Sequence, residues 1–93
     1  MKTIDIKGKP YITVNERLKY FRENFKGHSL LSEMVSNENG VVIFKATILN
    51  ENDRVIATGY AYEKEGSSFI NKTSYIENAE TSSWGRCLGN FGI

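Results

Sequence analysis

A chain of 93 residues with a formal net charge of +1 is sized for one small domain, and its core is too modest to enclose a deep catalytic pocket without help from a partner subunit. One cysteine, Cys87, excludes an internal disulfide, and with His28 as the sole histidine the usual zinc ligand set cannot be assembled, so no structural metal is expected. No apolar run approaches the roughly 20 residues that cross a bilayer and the N-terminus lacks a signal-peptide core, so a cytoplasmic protein without a membrane partner is expected.

Residues 1–12 read as an extended lead-in, with Ile4 and Ile6 alternating with charge and a break at Gly8-Lys9-Pro10. Thr13 followed three positions later by Glu16 is a capping-box pattern that opens a first helix running to about Lys26. Val14, Leu18, Phe21 and Phe25 fall in one narrow arc of that helix and mark its buried face. Asn15, Lys19, Arg22 and Lys26 form a basic flank beside it. Such a stripe is either a solvated face or a surface for a polyanion. A solvated face is the commoner case, and any polyanion-binding surface should draw heavily on this region: Met1 to His28 holds seven Lys/Arg against three acids, a balance of +4, and the remainder holds five against eight, a balance of −3.

After Gly27-His28 the pattern changes to a meander. Leu30 to Val35 is a short strand, Asn39-Gly40 is a hairpin turn signal, and Val41 to Leu49 is a strong strand with Val42, Phe44, Ala46 and Ile48 on one face. Asn50 to Asp53 turns the chain into a third strand, Arg54 to Lys64, whose two faces are Val55, Ala57, Gly59, Ala61 and Ile56, Thr58, Tyr60, Tyr62. Residues 65–74 form a Gly/Ser loop. Ser74 with Glu77 repeats the capping-box pattern before a last helix on which Ile76, Ala79, Ser83, Cys87 and Phe91 share a face. The fold class expected is α+β: over 13–93, a helix, a three-stranded antiparallel meander and a helix, packed on one face of the sheet because three strands need such a cover.

Enzyme constellations are absent. There is no phosphate-loop or dinucleotide fingerprint and no carboxylate cluster with metal spacing, so neither catalysis nor a cofactor is expected. Cys87 is on the apolar side of its helix, where cysteine is usually a packing residue. Glu77 and Glu80 complement the dipole at the start of the last helix, and Glu80 is also placed to meet a basic group across an interface. The flank Asn78, Ser82, Gly85, Arg86, Gly89 admits two readings. Its small residues admit a sugar-phosphate chain with Arg86 supplying charge, or they permit tight helix packing while Arg86 answers a local carboxylate.

Aromatic and basic residues are interleaved through the second half. Tyr60, Tyr62, Phe69, Tyr75 and Trp84 alternate with Lys45, Lys64, Lys72 and Arg86, a combination suited to stacking on bases while tracking phosphates. The alternative for the same aromatics is core packing. The candidate nucleic-acid-binding set is Arg86, Lys72, Lys45, Lys64, Tyr60, Tyr62, Lys19, Arg22 and Lys26.

The closing segment Glu77-Asn78-Ala79-Glu80-Thr81-Ser82-Ser83-Trp84-Gly85-Arg86-Cys87-Leu88-Gly89-Asn90-Phe91-Gly92-Ile93 resembles a phrase of small phage proteins of the form ENAETSA-x-GRALG-x-x-GI. More loosely it is similar to the closing helix of the single-strand annealing proteins, including the phage ERF and RecT-like groups and the eukaryotic double-strand-break-repair annealing protein. That resemblance implies sequence-independent single-stranded DNA binding in phage recombination or replication, strand annealing, a homo-oligomer with a continuous basic groove, a phage or host recombination partner and a place in the host cytoplasm. It transfers a basic role to Arg86 alone, since Gly85 and Gly89 stand where the eukaryotic protein is basic. Chains bearing the phrase tend to continue past it, so a longer protein is expected. A reading of a different class stands beside this one: a self-assembling interaction module without nucleic acid, favoured by the near-neutral charge.

Overall fold

The computed structural model describes residues Met1–Ile93. In chain order its elements are strands β1 (Ile4–Ile6) and β2 (Lys9–Tyr11), helix α1 (Val14–Asn24), strands β3 (Ser29–Glu38), β4 (Val41–Leu49) and β5 (Val55–Lys64), a 3-10 turn (Ile70–Lys72) and helix α2 (Tyr75–Phe91). The expected helix, antiparallel three-stranded meander and helix are all present, in strand order β3-β4-β5.

The lead-in departs from expectation. Lys7 and Gly8 both take positive φ, 52° and 79°, which is what a two-residue type I′ turn requires, so the extended stretch folds back as a β1–β2 hairpin. Asn39 and Gly40 do the same, at 54° and 74°, between β3 and β4. β3 is longer than its apolar content suggested because the turn extends pairing through Ser36, Asn37 and Glu38 after a bulge at Val35. A second bulge leaves Ile56 unpaired opposite the end of β4.

Alternation in β4 splits the sheet into two unlike faces. Val42, Phe44, Ala46 and Ile48 are buried under α2, which lies across β4 and β5; the intervening Ile43, Lys45, Thr47 and Leu49 face the other way. The helix that covers the sheet presents Ala79, Ser83, Cys87 and Leu88, all buried. Ala57 and Gly59 face it from β5. The fit there is tight: a Cβ on Gly59 would stand 2.4 Å from the Cys87 backbone N, so only glycine allows this strand and helix to touch.

Helix α1 packs beside α2 and drives Phe21 into the cluster formed by Ala46, Ile48, Ala57, Cys87 and Leu88. Phe25, His28 and Phe91 add edge-to-face contacts at its C-terminal end, with the Phe25 and Phe91 centroids 4.9 Å apart. The two expected capping boxes meet different fates. Thr13 Oγ1 accepts from Glu16 N at 3.2 Å, but the Glu16 carboxylate accepts from Lys2 N instead of returning to the cap. Ser74 makes no side-chain cap bond, because its ψ of 36° departs from the extended backbone from which a cap side chain reaches the first free N–H groups. The other end of α2 closes on Gly92 at φ 115°, with the Gly92 and Ile93 N–H groups both reaching the Leu88 carbonyl.

Candidate nucleic-acid interface

Two surfaces hold the residues expected to bind, and they lie on opposite sides of a domain only 16 Å thick. On the open face of the sheet, Lys45 pairs in register with Tyr60 on one side and Glu33 on the other, and Ile43 pairs with Tyr62. The Lys45 Nζ stands 5.7 Å from the Tyr60 ring centroid, a cation held over an aromatic face. Tyr60 and Tyr62 are 55% and 69% exposed, so most of each ring is free to receive a ligand. Lys64 follows on the same face by strand alternation. Beside them a shallow hollow of about 370 Å³ is bordered by Leu31, Glu33, Lys45 and Thr47.

The helix side collects the remaining cations, though in separate places. Arg17, which was not among the expected residues, bridges the helices: its Nη2 donates to the Gly85 carbonyl at 2.9 Å and its Nε to the Ile93 carbonyl at 3.3 Å. Those contacts fix the side of α1 that faces α2. Lys19 and Arg22 lie on the flank turned away from it, by the helical repeat, while Lys26, expected on the same helix, is exposed in the turn that follows because α1 ends at Asn24 with Phe25 as its cap. Lys19 is 4.0 Å from Glu23 and Arg22 sits 5.8 Å from the Phe21 ring centroid. Arg86 is exposed on α2 and, with Tyr11, Val14, Arg17, Ser82 and Gly85, lines an open groove of about 340 Å³. Lys72 closes the 3-10 turn. None of Lys26, Lys45, Lys64, Lys72 and Arg86 is in an ion pair, leaving their charge available.

The polar flank of α2 resolves mostly into packing. A Cβ on Gly85 would stand 2.9 Å from Val14 Cγ2, and one on Gly89 3.4 Å from Arg17 Nη2, so both glycines let α1 approach. Asn78 is committed to a part-buried network centred on buried Asn71. Its Nδ2 donates to Asn71 Oδ1, while Asn71 Nδ2 donates to Glu63 Oε1 and Ser67 Oγ, all within 2.8–2.9 Å. Arg86 answers no carboxylate. Glu80, expected to meet a basic group, accepts from Ser32 Oγ at 2.6 Å and ties α2 to β3. Buried Cys87 has its thiol pKa raised by desolvation, against a smaller opposing effect of the Ile48 backbone, and its Sγ donates to the Ala57 carbonyl at 3.5 Å.

The domain is thus α-β-β-β-α, with α2 laid on one face of the sheet, α1 beside α2, and the other face of the sheet open. Residues 18–91 match the family described as Slr1353 N-terminal dsRNA-binding domain-like, and the chain belongs to that family. No curated protein and no solved structure matches it. The family is one of nucleic-acid-binding-like domains. The relationship to single-strand annealing proteins expected from the closing phrase is thereby overturned, since the family that matches is a different one. Its physical reason lies in α2: the small residues of the phrase, Ser83 and Cys87 at its alanine positions together with Gly85 and Gly89, are those needed to seat a helix between β5 and α1. No helix is long and apolar enough to cross a membrane.

Proposed function

We propose that this domain binds nucleic acid without base readout and that its ligand is a single strand laid on the open face of the sheet. The observation that supports this most is the juxtaposition of two exposed tyrosine rings with Lys45, whose ammonium lies 5.7 Å from the Tyr60 centroid. Tyr60 and Tyr62 are two residues apart on one strand, hence about 7 Å apart along it. That spacing offers one stacking platform per nucleotide for a strand drawn out to about twice the 3.4 Å rise of duplex DNA. Aromatic faces accept any base, and Lys45 and Lys64 supply phosphate contacts, as in other sheet-based single-strand binders.

A duplex is the second reading, favoured by the description of the family. It would use the helix side, where Lys19, Arg22 and Lys26 face solvent. The first turn of α2 opposes it: a helix N-terminus favours phosphate, but Glu77 is exposed in that turn.

Fluorescence anisotropy with labelled oligothymidine and with a duplex RNA of about 16 base pairs, the span of a double-stranded-RNA-binding domain, separates the two. Each of Tyr60→Ala and Tyr62→Ala should lose about 1–3 kcal/mol, roughly 5- to 150-fold, on the single strand. Affinity should also fall as salt rises. Single-strand binding untouched by both tyrosine substitutions, or duplex binding lost in Lys19→Ala/Arg22→Ala/Lys26→Ala with no single-strand binding at all, would overturn the proposal.

A further inference from the structure

The β1–β2 hairpin is an arm without a seat. Ile4, Ile6 and Tyr11 are 49%, 44% and 47% exposed, and the pairing of Ile4 with Tyr11 and Ile6 with Lys9 sets all four on one face. Beyond the Lys2 N to Glu16 bond and the Tyr11 ring beside the α1–α2 groove, the hairpin packs on no other element. Two strands alone are marginal in water, so an apolar hairpin face calls for cover. The arm also lies outside the residues that match the family, 18–91.

A second exposed surface complements it. The outer edge of β3 is unpaired over ten residues, and Leu31, Met34 and Val35 on it are 53%, 46% and 50% exposed. Such an edge is a template for another strand. Its charges are Glu33 and Glu38, with no Lys or Arg in the strand; the arm bears Lys2, Lys7 and Lys9 against Asp5. The opposite edge, β5, balances Arg54 and Lys64 with Glu63 and Glu65 and so offers the arm lysines no comparable acidic edge. Within one chain the contact is out of reach. Only Ile12 and Thr13 separate the arm from α1, and Tyr11 is held beside Ser82 and Arg86 of α2, a helix that lies over β4 and β5 and reaches β3 through the Glu80–Ser32 bond.

We infer that the β1–β2 arm of one copy adds to the β3 edge of a second copy, with Ile4 and Ile6 on the open face of the sheet beside Leu31 and with the arm lysines beside Glu33 and Glu38, which share that face. Strand β1 is the added strand, because Pro10 leaves β2 without one of its N–H donors. Arm and edge are different surfaces, so the contact is heterologous: exchange of both arms closes a dimer, and one-way transfer builds a ring or filament. The single-strand platform on β4 and β5 stays open in either case.

The test is sedimentation velocity on the full chain and on charge-exchanged variants, with melting curves to confirm folding. The wild type should sediment as an assembly. Ile4→Glu/Ile6→Glu should sediment as one protomer with an unchanged melting point, since both side chains are exposed and neither takes part in the arm's contacts with its own chain. Lys2→Glu/Lys7→Glu/Lys9→Glu and Glu33→Lys/Glu38→Lys should each be single protomers alone and assemble when mixed, because each arm then meets an edge of opposite sign. A wild-type protomer at all concentrations, an arm variant that assembles like wild type, or a mixture that stays dissociated overturns the inference.

Discussion

Substituting Gly59 by alanine is the sharpest test of how this domain is held together. The added Cβ would stand 2.4 Å from Cys87 N and 2.9 Å from both the Arg86 carbonyl carbon and Cys87 Cα, all backbone atoms that no side-chain rotation can move. Ordinary contact begins near 3.4 Å. Strand β5 and helix α2 must therefore separate by about 1 Å, and a gap of that size already forfeits a quarter to a half of the dispersion between the groups it parts. Ala79, Ser83, Cys87 and Leu88 all leave the sheet with the helix. Overpacking of this kind costs about 1–3 kcal/mol, and the backbone clash places Gly59→Ala at the top of that range. For a domain of 60–100 residues this corresponds to a fall in Tm of about 12–24 °C. Gly85→Ala is the internal comparison: its Cβ meets the end of the Val14 side chain at 2.9 Å, which can turn aside, so its loss should be smaller. Thermal and urea unfolding followed by circular dichroism reads both. A Gly59→Ala domain within about 0.5 kcal/mol of wild type, the range of an ordinary surface substitution, would refute the close approach.

Three further outcomes follow from the interior. Asn71→Ala should cost about 1–3 kcal/mol in urea unfolding, because it strands the Glu63 carboxylate and the Asn78 amide at a site where Asn71 itself is 1% exposed. Arg17→Met should loosen the α1–α2 contact by about 1–3 kcal/mol through loss of hydrogen bonds to the Gly85 and Ile93 carbonyls, while leaving single-strand affinity unchanged. Burial raises the Cys87 thiol above its ordinary value of 9.0, so the folded state holds that proton more tightly than the unfolded one. Its contribution is whole below the unfolded pKa and is lost as pH rises through the folded pKa. Stability of the wild type should accordingly fall more steeply above about pH 9 than that of Cys87→Ala, with parallel curves at neutral pH. Equal slopes at alkaline pH would remove the thiol from the account.

The fold was legible wherever local pattern and tertiary demand agree. β4 alternates strictly because one face is buried and the other open, and Asn39-Gly40 marks a turn that few other pairs can make. The misread lead-in is instructive in the same terms. Lys7-Gly8 is a type I′ pair too, but lysine at positive φ gives no compositional warning, so the hairpin is invisible until its pairing is seen. For the interface, the sequence named side chains without their sides. Tyr60 and Lys45 are 15 positions apart, and only the register of β4 with β5 brings them together. Lys19 and Arg22 were grouped with Arg86 in one candidate set, but the side of α1 that meets α2, fixed by Arg17, leaves them on the flank turned away from that helix.

The closing helix explains why a sequence phrase pointed to one family and the domain belongs to another. A helix wedged between a strand and a second helix needs small residues on two sides. Here Ala79, Ser83 and Cys87 serve the sheet, and Gly85 and Gly89 serve α1. Any domain that solves this packing problem tends toward the same alternation of small residues, whatever it binds. Function is then carried by what the packing leaves over. On α2 that is chiefly Arg86, exposed and unpaired; on the sheet it is Lys45, Tyr60, Tyr62 and Lys64, which contribute nothing to holding the helices in place. Residues free of a structural duty are where substitutions should change binding without changing stability. That separation makes Tyr60→Ala and Gly59→Ala, neighbours on one strand and opposite in face, a matched pair: the first should weaken the ligand and spare the fold, the second the reverse at temperatures where the domain still folds.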